Sequence, residues 1–438
     1  MVSAKQNRFP LSTGRTSRTG FKSALFVSLL LCCVHTCLAQ EKNSVAEESP
    51  AASTTIVPKQ PDGTVRIATF NTSMNRGRPG ALLADLKAHD RQIEDVAAIL
   101  RTVRPQIVLL NEFDFSEGNV AVDLFRSSFL EAPLNRYPNA EPIHFPFCYV
   151  PSVNTGVPSG MDLDQNGSSD DPADAFGFGA FPGQYGMVVL SRYPVATESI
   201  RTFQTFLWNS LPDAAVPRNP DDNQPWYSES AWTKLRLSSK NHCDVPITID
   251  GSRTVHLLIS HPTPPAFDGP EDRNGRRNHD EIRFWAEYLS GPDKAWIFDD
   301  RQRSGGLSKD QPFVILGDLN ADPHDGDSFQ NAIHQLLNHP RIHSPMIPES
   351  QGGQQAAVEQ GGVNEDHKGP PQHDTSDFFD RTVGNLRIDY ILPSTNLTPV
   401  QCGVFWPENG EPFSEAIRCS DHRLVWMDLK LHTAAPGN

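Results

Sequence analysis

Eight polar side chains fall where short apolar runs begin or stop. Asn71 closes residues 65–70, Glu112 follows Leu109-Leu110-Asn111, and His261 follows residues 255–260. Asp318 and Asn320 lie in Gly317-Asp318-Leu319-Asn320 after residues 313–316, Asp389 lies within 387–392, and Asp421-His422 precede 424–427. Carboxylates, amides and imidazoles in one set can hold a hard cation, orient a water and stabilise a pentavalent phosphate. Glu112 suits a divalent ion. Gly317 permits a sharp turn, and the alternate residues Asp318 and Asn320 can point the same way. Asp389 could fix the tautomer of His422 by accepting its ring N–H, and His261 could donate a proton or hydrogen bond. Singly, each reads equally as a turn former, a surface carboxylate or a loop histidine. Eight together are harder to explain that way.

The elements that must position them are short. Residues 65–70, 107–110, 187–190, 255–260, 313–316, 387–392 and 424–427 read as apolar strands. Residues 90–101 place Ile93, Val96, Ala97 and Leu100 on one helical face, closed by Pro105. Strands interleaved with helices argue for an α/β protein with covered sheet faces, where ligands collect at strand ends. The polar stretches 150–183, 209–229, 262–278 and 344–376 read as long loops and as the source of substrate selectivity.

The chain has 438 residues, enough for one large domain or two modest ones. Residues 1–22 carry Lys5, Arg8, Arg15, Arg18 and Lys22 and no acid; an apolar core at 24–31 and Cys37-Leu38-Ala39 follow. This is the layout of a secretory signal peptide over 1–39, its apolar run well short of the roughly 20 residues of a membrane span. Cleavage near residue 39 would leave a secreted or periplasmic chain with a flexible linker over 40–62, a folded region over 63–432 and a tail over 433–438. Losing the five bases moves the formal charge from −15 to −20. Such a chain is not a basic nucleic-acid binder, although bound cations leave a nuclease open. Cys148, Cys243, Cys402 and Cys419 remain, an even number consistent with two disulfides in an oxidising compartment, with Cys402–Cys419 the favoured pair.

Two further signals stand apart. Asp162, Asp164, Asn166, Gly167 and Asp170 match the first nine positions of an EF-hand loop, but Ala173 stands at position 12. The stretch is either a structural Ca²⁺ loop or a solvated acidic turn. Arg276 and Arg277, in the basic run 273–279, could grip a substrate phosphate or simply start a helix.

The ordered series Asn71, Leu109-Leu110-Asn111-Glu112, Leu190-Ser191-Arg192-Tyr193-Pro194, His261-Pro262, Gly317-Asp318-Leu319-Asn320, Arg387-Ile388-Asp389-Tyr390 and Ser420-Asp421-His422 resembles the endonuclease/exonuclease/phosphatase family, in its deoxyribonuclease I-like branch. The resemblance spans residues 65–431 and implies a four-layer α/β sandwich, two mixed β-sheets face to face flanked by helices. It implies phosphoester hydrolysis with Mg²⁺, or Mn²⁺ or Ca²⁺ in its place. Carried over, Glu112, Asn71 and Asp421 would serve the metal. Asp318 would orient or activate the attacking water, Asn320 would hold a phosphate oxygen, and His422 with Asp389, together with His261, would complete the catalytic set. Asn111 stands where the family often has Gln, and Ser73 where some members have an acid that supports a second metal. The leading expectation is a secreted, nuclease-like phosphodiesterase. A lipid-head-group or phosphomonoester phosphatase on the same scaffold is the alternative, and a non-catalytic binding module is a third reading. The partner is thus a nucleic acid, a lipid head group or a small phosphoester, with no obligate protein partner evident.

Overall fold

Strand alternation divides the apolar residues into three separate layers, which is why the chain stacks four deep. The computed structural model describes residues 57–431 except Ser252 and Ser344. The expected signal peptide, most of the linker and the tail lie outside the described residues. The first sheet has the order β12-β13-β1-β2-β4-β3, comprising β1 (Thr64–Asn71), β2 (Ile107–Asn111), β3 (Phe147–Tyr149), β4 (Met187–Ser191), β12 (Leu397–Phe405) and β13 (Leu424–Leu431). The second has the order β11-β8-β7-β6-β5, comprising β5 (Arg201–Thr202), β6 (Cys243–Ile249), β7 (Arg253–Ile259), β8 (Phe313–Asp318) and β11 (Asp389–Pro393). A two-residue ladder pairs β9 (Ser376–Asp377) with β10 (Asn385–Leu386). Each large sheet is mixed: β1–β2 and β7–β8 are its parallel pairs.

In β2, Ile107 and Leu109 face the layer between the sheets while Val108 and Leu110 face outward. In β8, Val314 and Leu316 face the same central layer while Phe313 and Ile315 face the opposite outer one. Strands buried on both faces read as continuous apolar runs because each side has a separate partner. The helix Arg91–Val103 covers the first sheet; Asp90 caps it by accepting from the backbone N–H of Gln92, and Arg104 ends it in the left-handed region. The helix Arg273–Leu289 covers the second sheet with Ile282, Phe284, Trp285 and Leu289. Two sheets inside and helices outside make the four-layer sandwich. No helix among the described residues is long and apolar enough to cross a membrane.

Three expectations need correction. All four cysteines among the described residues are free. Cys402 packs toward the layer between the sheets and Cys419 toward the outer layer of the same sheet, so the favoured pair is separated by the sheet itself. The polar stretch 344–376 contains a helix, Gln351–Gln360, capped by Ser350. Its buried face is Gly352, Gly353 and Ala357, so it shows no apolar periodicity; a Cβ on Gly352 would lie 2.1 Å from the Trp406 carbonyl. Lastly, β6 and β12 were not anticipated, because Pro246 and Pro399 interrupt their apolar alternation. Pro399 is tolerated at a bulge on an edge strand.

Candidate active site

The same rim of both sheets delivers the polar set. Parallel β1 and β2 end in register at Asn71 and Asn111, and Glu112 turns out of β2 with φ 59°. β7 leads to Ser260-His261, and β8 ends on Gly317-Asp318. Gly317 has φ +145°, and a Cβ there would meet the Ser260 carbonyl oxygen at 2.1 Å, so only glycine lets the β7 and β8 ends approach. Asp389 opens β11 directly opposite Asp318. The Ser420–His422 turn is tied to the end of β1: the Ser420 hydroxyl donates to the Asn71 carbonyl at 2.8 Å and accepts from the His422 backbone N–H at 3.0 Å.

These placements converge on one carboxylate. Asn71 Nδ2 donates to Asp318 Oδ2 at 3.1 Å, and His261 Nε2 lies 3.3 Å from the same oxygen. His422 Nε2 lies 3.7 Å from it and 3.4 Å from Asn71 Nδ2. Behind His422, Nδ1 donates to Asp389 Oδ2 at 2.9 Å, and Asp389 also accepts from the Thr375 hydroxyl at 2.9 Å. The Thr375 hydroxyl oxygen in turn accepts from the backbone N–H groups of Ile388 and Asp389. Asn320 N–H donates to Asp318 Oδ1, while its side-chain amide donates to the Pro262 carbonyl at 3.2 Å. Asn111, shorter than the expected Gln, points its Oδ1 at the Asp318 backbone N–H from 3.4 Å.

The electrostatics follow from burial and pairing. Burial alone would neutralise His422, but the carboxylates of Asp389 and Asp318 outweigh it and hold the imidazole up at about 10. Burial likewise opposes ionisation of Asp318, yet His422, His261 and the Asn71 amide hold its carboxyl well below the usual range. Asp389 is pushed up to about 6 by burial despite His422. His261 moves down, first by burial and then by the Lys240 charge, and its Nδ1 is buried without a partner among the described residues.

Several supporting residues carried no signal in the sequence. Lys240 is buried beside the site, its ammonium donating, among the described residues, only to the Pro262 carbonyl at 3.5 Å. Burial lowers its pKa against the pull of Glu281, Glu112 and Asp318. It stands in the polar run Ser238-Ser239-Lys240-Asn241, where nothing marks a buried cation. Asn75 donates to Glu112 Oε2 at 2.6 Å, and the Ser73 hydroxyl donates to Asp421 Oδ1 at 3.0 Å. Asp114, pushed up to about 7 mainly by burial, braces the Glu112 turn by accepting from the N–H groups of Arg76 and Tyr185.

The remaining residues of interest sit elsewhere. Arg277 spends its guanidinium on the carbonyls of Leu237, Arg236 and Phe176, so it locks loops together. Arg276 lies over the Phe329 ring at 4.5 Å with Asp272 at 3.9 Å. In the acidic loop, Asp162 and Asp164 gather with the buried Asp174 within 4.8 Å. Asn166 bonds Asp164 and Asp171, and Asp170 turns to the Ser168 hydroxyl.

The donor set fits a hard divalent cation. Glu112, half-buried, and Asp421, exposed, each keep one carboxylate oxygen free of hydrogen bonds among the described residues. The buried trio Asp318, Asp389 and His422 also lies within 4.8 Å, but its hydrogen bonds run internally, which suits proton handling rather than ligation. Against this geometry, the family model described as "Endonuclease/Exonuclease/phosphatase family" matches residues 68–422. The chain belongs to that family.

Membership in the endonuclease/exonuclease/phosphatase family accounts for the sandwich. Among solved structures, one similar chain is an endonuclease/exonuclease/phosphatase from Beutenbergia cavernae, 18% identical, covering 85% of this chain and 72% of that one at a TM-score of 0.46. Sphingomyelinase C from Streptomyces griseocarneus is 13% identical, covering 83% and 99% at 0.41. Beta toxin from Staphylococcus aureus with bound magnesium ions is 12% identical, covering 83% and 99% at 0.41. No curated protein matches the chain by sequence.

Proposed function

We propose that this chain is an exported, divalent-metal-dependent phosphodiesterase of nuclease-like chemistry that cleaves by attack of an activated water. One observation carries the reading: His422 Nε2, backed by Asp389 at Nδ1, lies 3.7 Å from Asp318 Oδ2 beside Asn71, and the pairing favours the ionised Asp318 and the protonated His422. An acid and a base whose environments push their proton affinities apart are the pair that hydrolysis needs. Asp318 accepts a hydrogen bond from the attacking water and aligns it, taking up its proton as the new P–O bond forms. His422, held in one orientation by Asp389, presents Nε2–H to the phosphate and gives its proton to the leaving oxygen as the old P–O bond breaks. Asn320 and His261 border the same space and hold phosphate oxygens. Glu112, Asp421 and Asn71 would hold Mg²⁺, Mn²⁺ or Ca²⁺, which supplies charge neutralisation when bound.

The lipid-head-group or phosphomonoester reading has its own support. Phe379, 65% exposed, follows Phe378, whose ring centroid lies 5.5 Å from that of His422. An exposed aromatic beside the site suits an amphipathic substrate. We read the acidic loop around Asp162 as a structural Ca²⁺ loop on the same footing, with Asp174 in place of Asp170.

The test is turnover of bis-p-nitrophenyl phosphate with added Mg²⁺, Mn²⁺ or Ca²⁺, followed by DNA, RNA, sphingomyelin and phosphomonoesters. Cleavage of a nucleic acid that stops in EDTA is expected. Preferential cleavage of sphingomyelin or a phosphomonoester would move the assignment to the second reading, and inertness on every phosphoester would favour a binding module.

A further inference from the structure

A second polar recess lies on the outer, helix-bearing face of the second sheet, at the end away from the phosphoester site. Its volume is ≈ 380 Å³, at the small end of the range for ligand cavities. Thr254 and His256 of β7 line it, and His261 lies five residues farther along, roughly 16 Å at strand spacing. Asp244 of β6 supplies its floor.

The polar groups there are of two kinds. One kind is already satisfied. Asp244 accepts from His256 Nδ1 at 2.7 Å and from the Tyr288 hydroxyl at 2.6 Å, using both carboxylate oxygens. Arg201 is closed by Asp299 and by the carbonyls of Gly305 and Arg303. A cation therefore finds no free carboxylate, and an anion finds no free guanidinium. The other kind is open. The hydroxyls of Ser199, Thr254 and Ser308 line the cavity without a side-chain hydrogen bond among the described residues. His256 Nε2 likewise has no hydrogen bond among the described residues, and the Asp244 bond to Nδ1 holds the ring in one orientation.

What such a wall recognises is a neutral molecule that offers donors and acceptors on several sides. We infer that this cavity binds a small neutral polyol, of monosaccharide size, with His256 Nε2 and the Thr254 hydroxyl each hydrogen-bonding one ligand hydroxyl. Asp244, braced by the Tyr288 hydroxyl, holds the imidazole in place.

Saturation-transfer NMR on the whole protein with glucose, myo-inositol and glucitol at tens of millimolar tests this directly. His256→Phe removes the ring nitrogen, and Thr254→Val removes one hydroxyl at nearly constant volume. Phosphodiester turnover reports whether each variant is folded. Transfer to at least one of the three probes is expected, with affinity at least about tenfold weaker in every folded variant. If His256→Phe loses turnover, Thr254→Val alone decides. No transfer from any probe, or undiminished transfer in a folded variant, would overturn the inference. Loss of phosphodiester turnover in the wild type would instead concern only the rim site.

Discussion

Asp389 Oδ2 and His422 Nδ1 are 2.9 Å apart, with side-chain exposures of 0% and 5%. A buried imidazole so held has one orientation, and its Nε2 is aimed at Asp318 and the open side of the rim. Asp389→Asn keeps the shape but offers an amide that can donate to Nδ1 and so favours the wrong tautomer. Phosphodiester turnover is expected to fall by on the order of 10²–10⁴ with KM little changed. Steady-state kinetics check it, and a change confined to KM would count against the orienting role.

Gly317 is where the two central strands of the second sheet pinch together. Gly317→Ala places a methyl 2.1 Å from the Ser260 carbonyl and forces alanine to φ +145°. Backbone must move on β7, β8 or both, so a loss of roughly 3 kcal/mol or more is expected. Thermal or urea unfolding measures it. A variant as stable as the wild type would show that this close approach is not required.

Lys240 contributes charge at a cost. Its ammonium is buried with one distant carbonyl partner, so Lys240→Met removes a desolvated ion while keeping the volume. Unfolding is expected to shift to equal or higher temperature, while kcat/KM drops roughly 10–100-fold because a cation near Glu112 and Asp318 is lost. Reduced stability with intact kcat/KM would reverse the assignment.

Asp374, next to Thr375, gives a pH signature of its own. Burial, together with Asp322 and Asp325, pushes its carboxyl up to about 8 from 3.8. The folded chain therefore binds the proton more tightly than the unfolded chain, and stability is lost as pH rises between those two values. Asp374→Asn removes the titration. Its unfolding temperature is expected to match the wild type near pH 4 and to exceed it above pH 8, as followed by thermal melts across pH.

Much of this was legible in the chain because strand-end chemistry leaves a local trace. Gly317-Asp318-Leu319-Asn320 and Ser420-Asp421-His422 announce turns, and the apolar runs before or after them announce strands. What escaped was set by tertiary context. Lys240 looks like any surface lysine until the fold buries it against the Pro262 carbonyl and near Glu281, and Pro246 breaks the apolar alternation of β6. Thr375 matters only because the backbone N–H groups of Ile388 and Asp389 converge on its hydroxyl. The helix Gln351–Gln360 buries glycines and an alanine, which no apolar pattern marks. Cysteine parity said nothing about which face of a sheet each thiol would occupy.

The most direct measurement compares the wild type with His422→Ala on bis-p-nitrophenyl phosphate in Mg²⁺, with and without EDTA. The wild type should turn over only with the metal, and His422→Ala should lose on the order of 10³-fold or more while melting as a folded protein. Equal turnover by the two proteins would contradict the proposed chemistry at its centre.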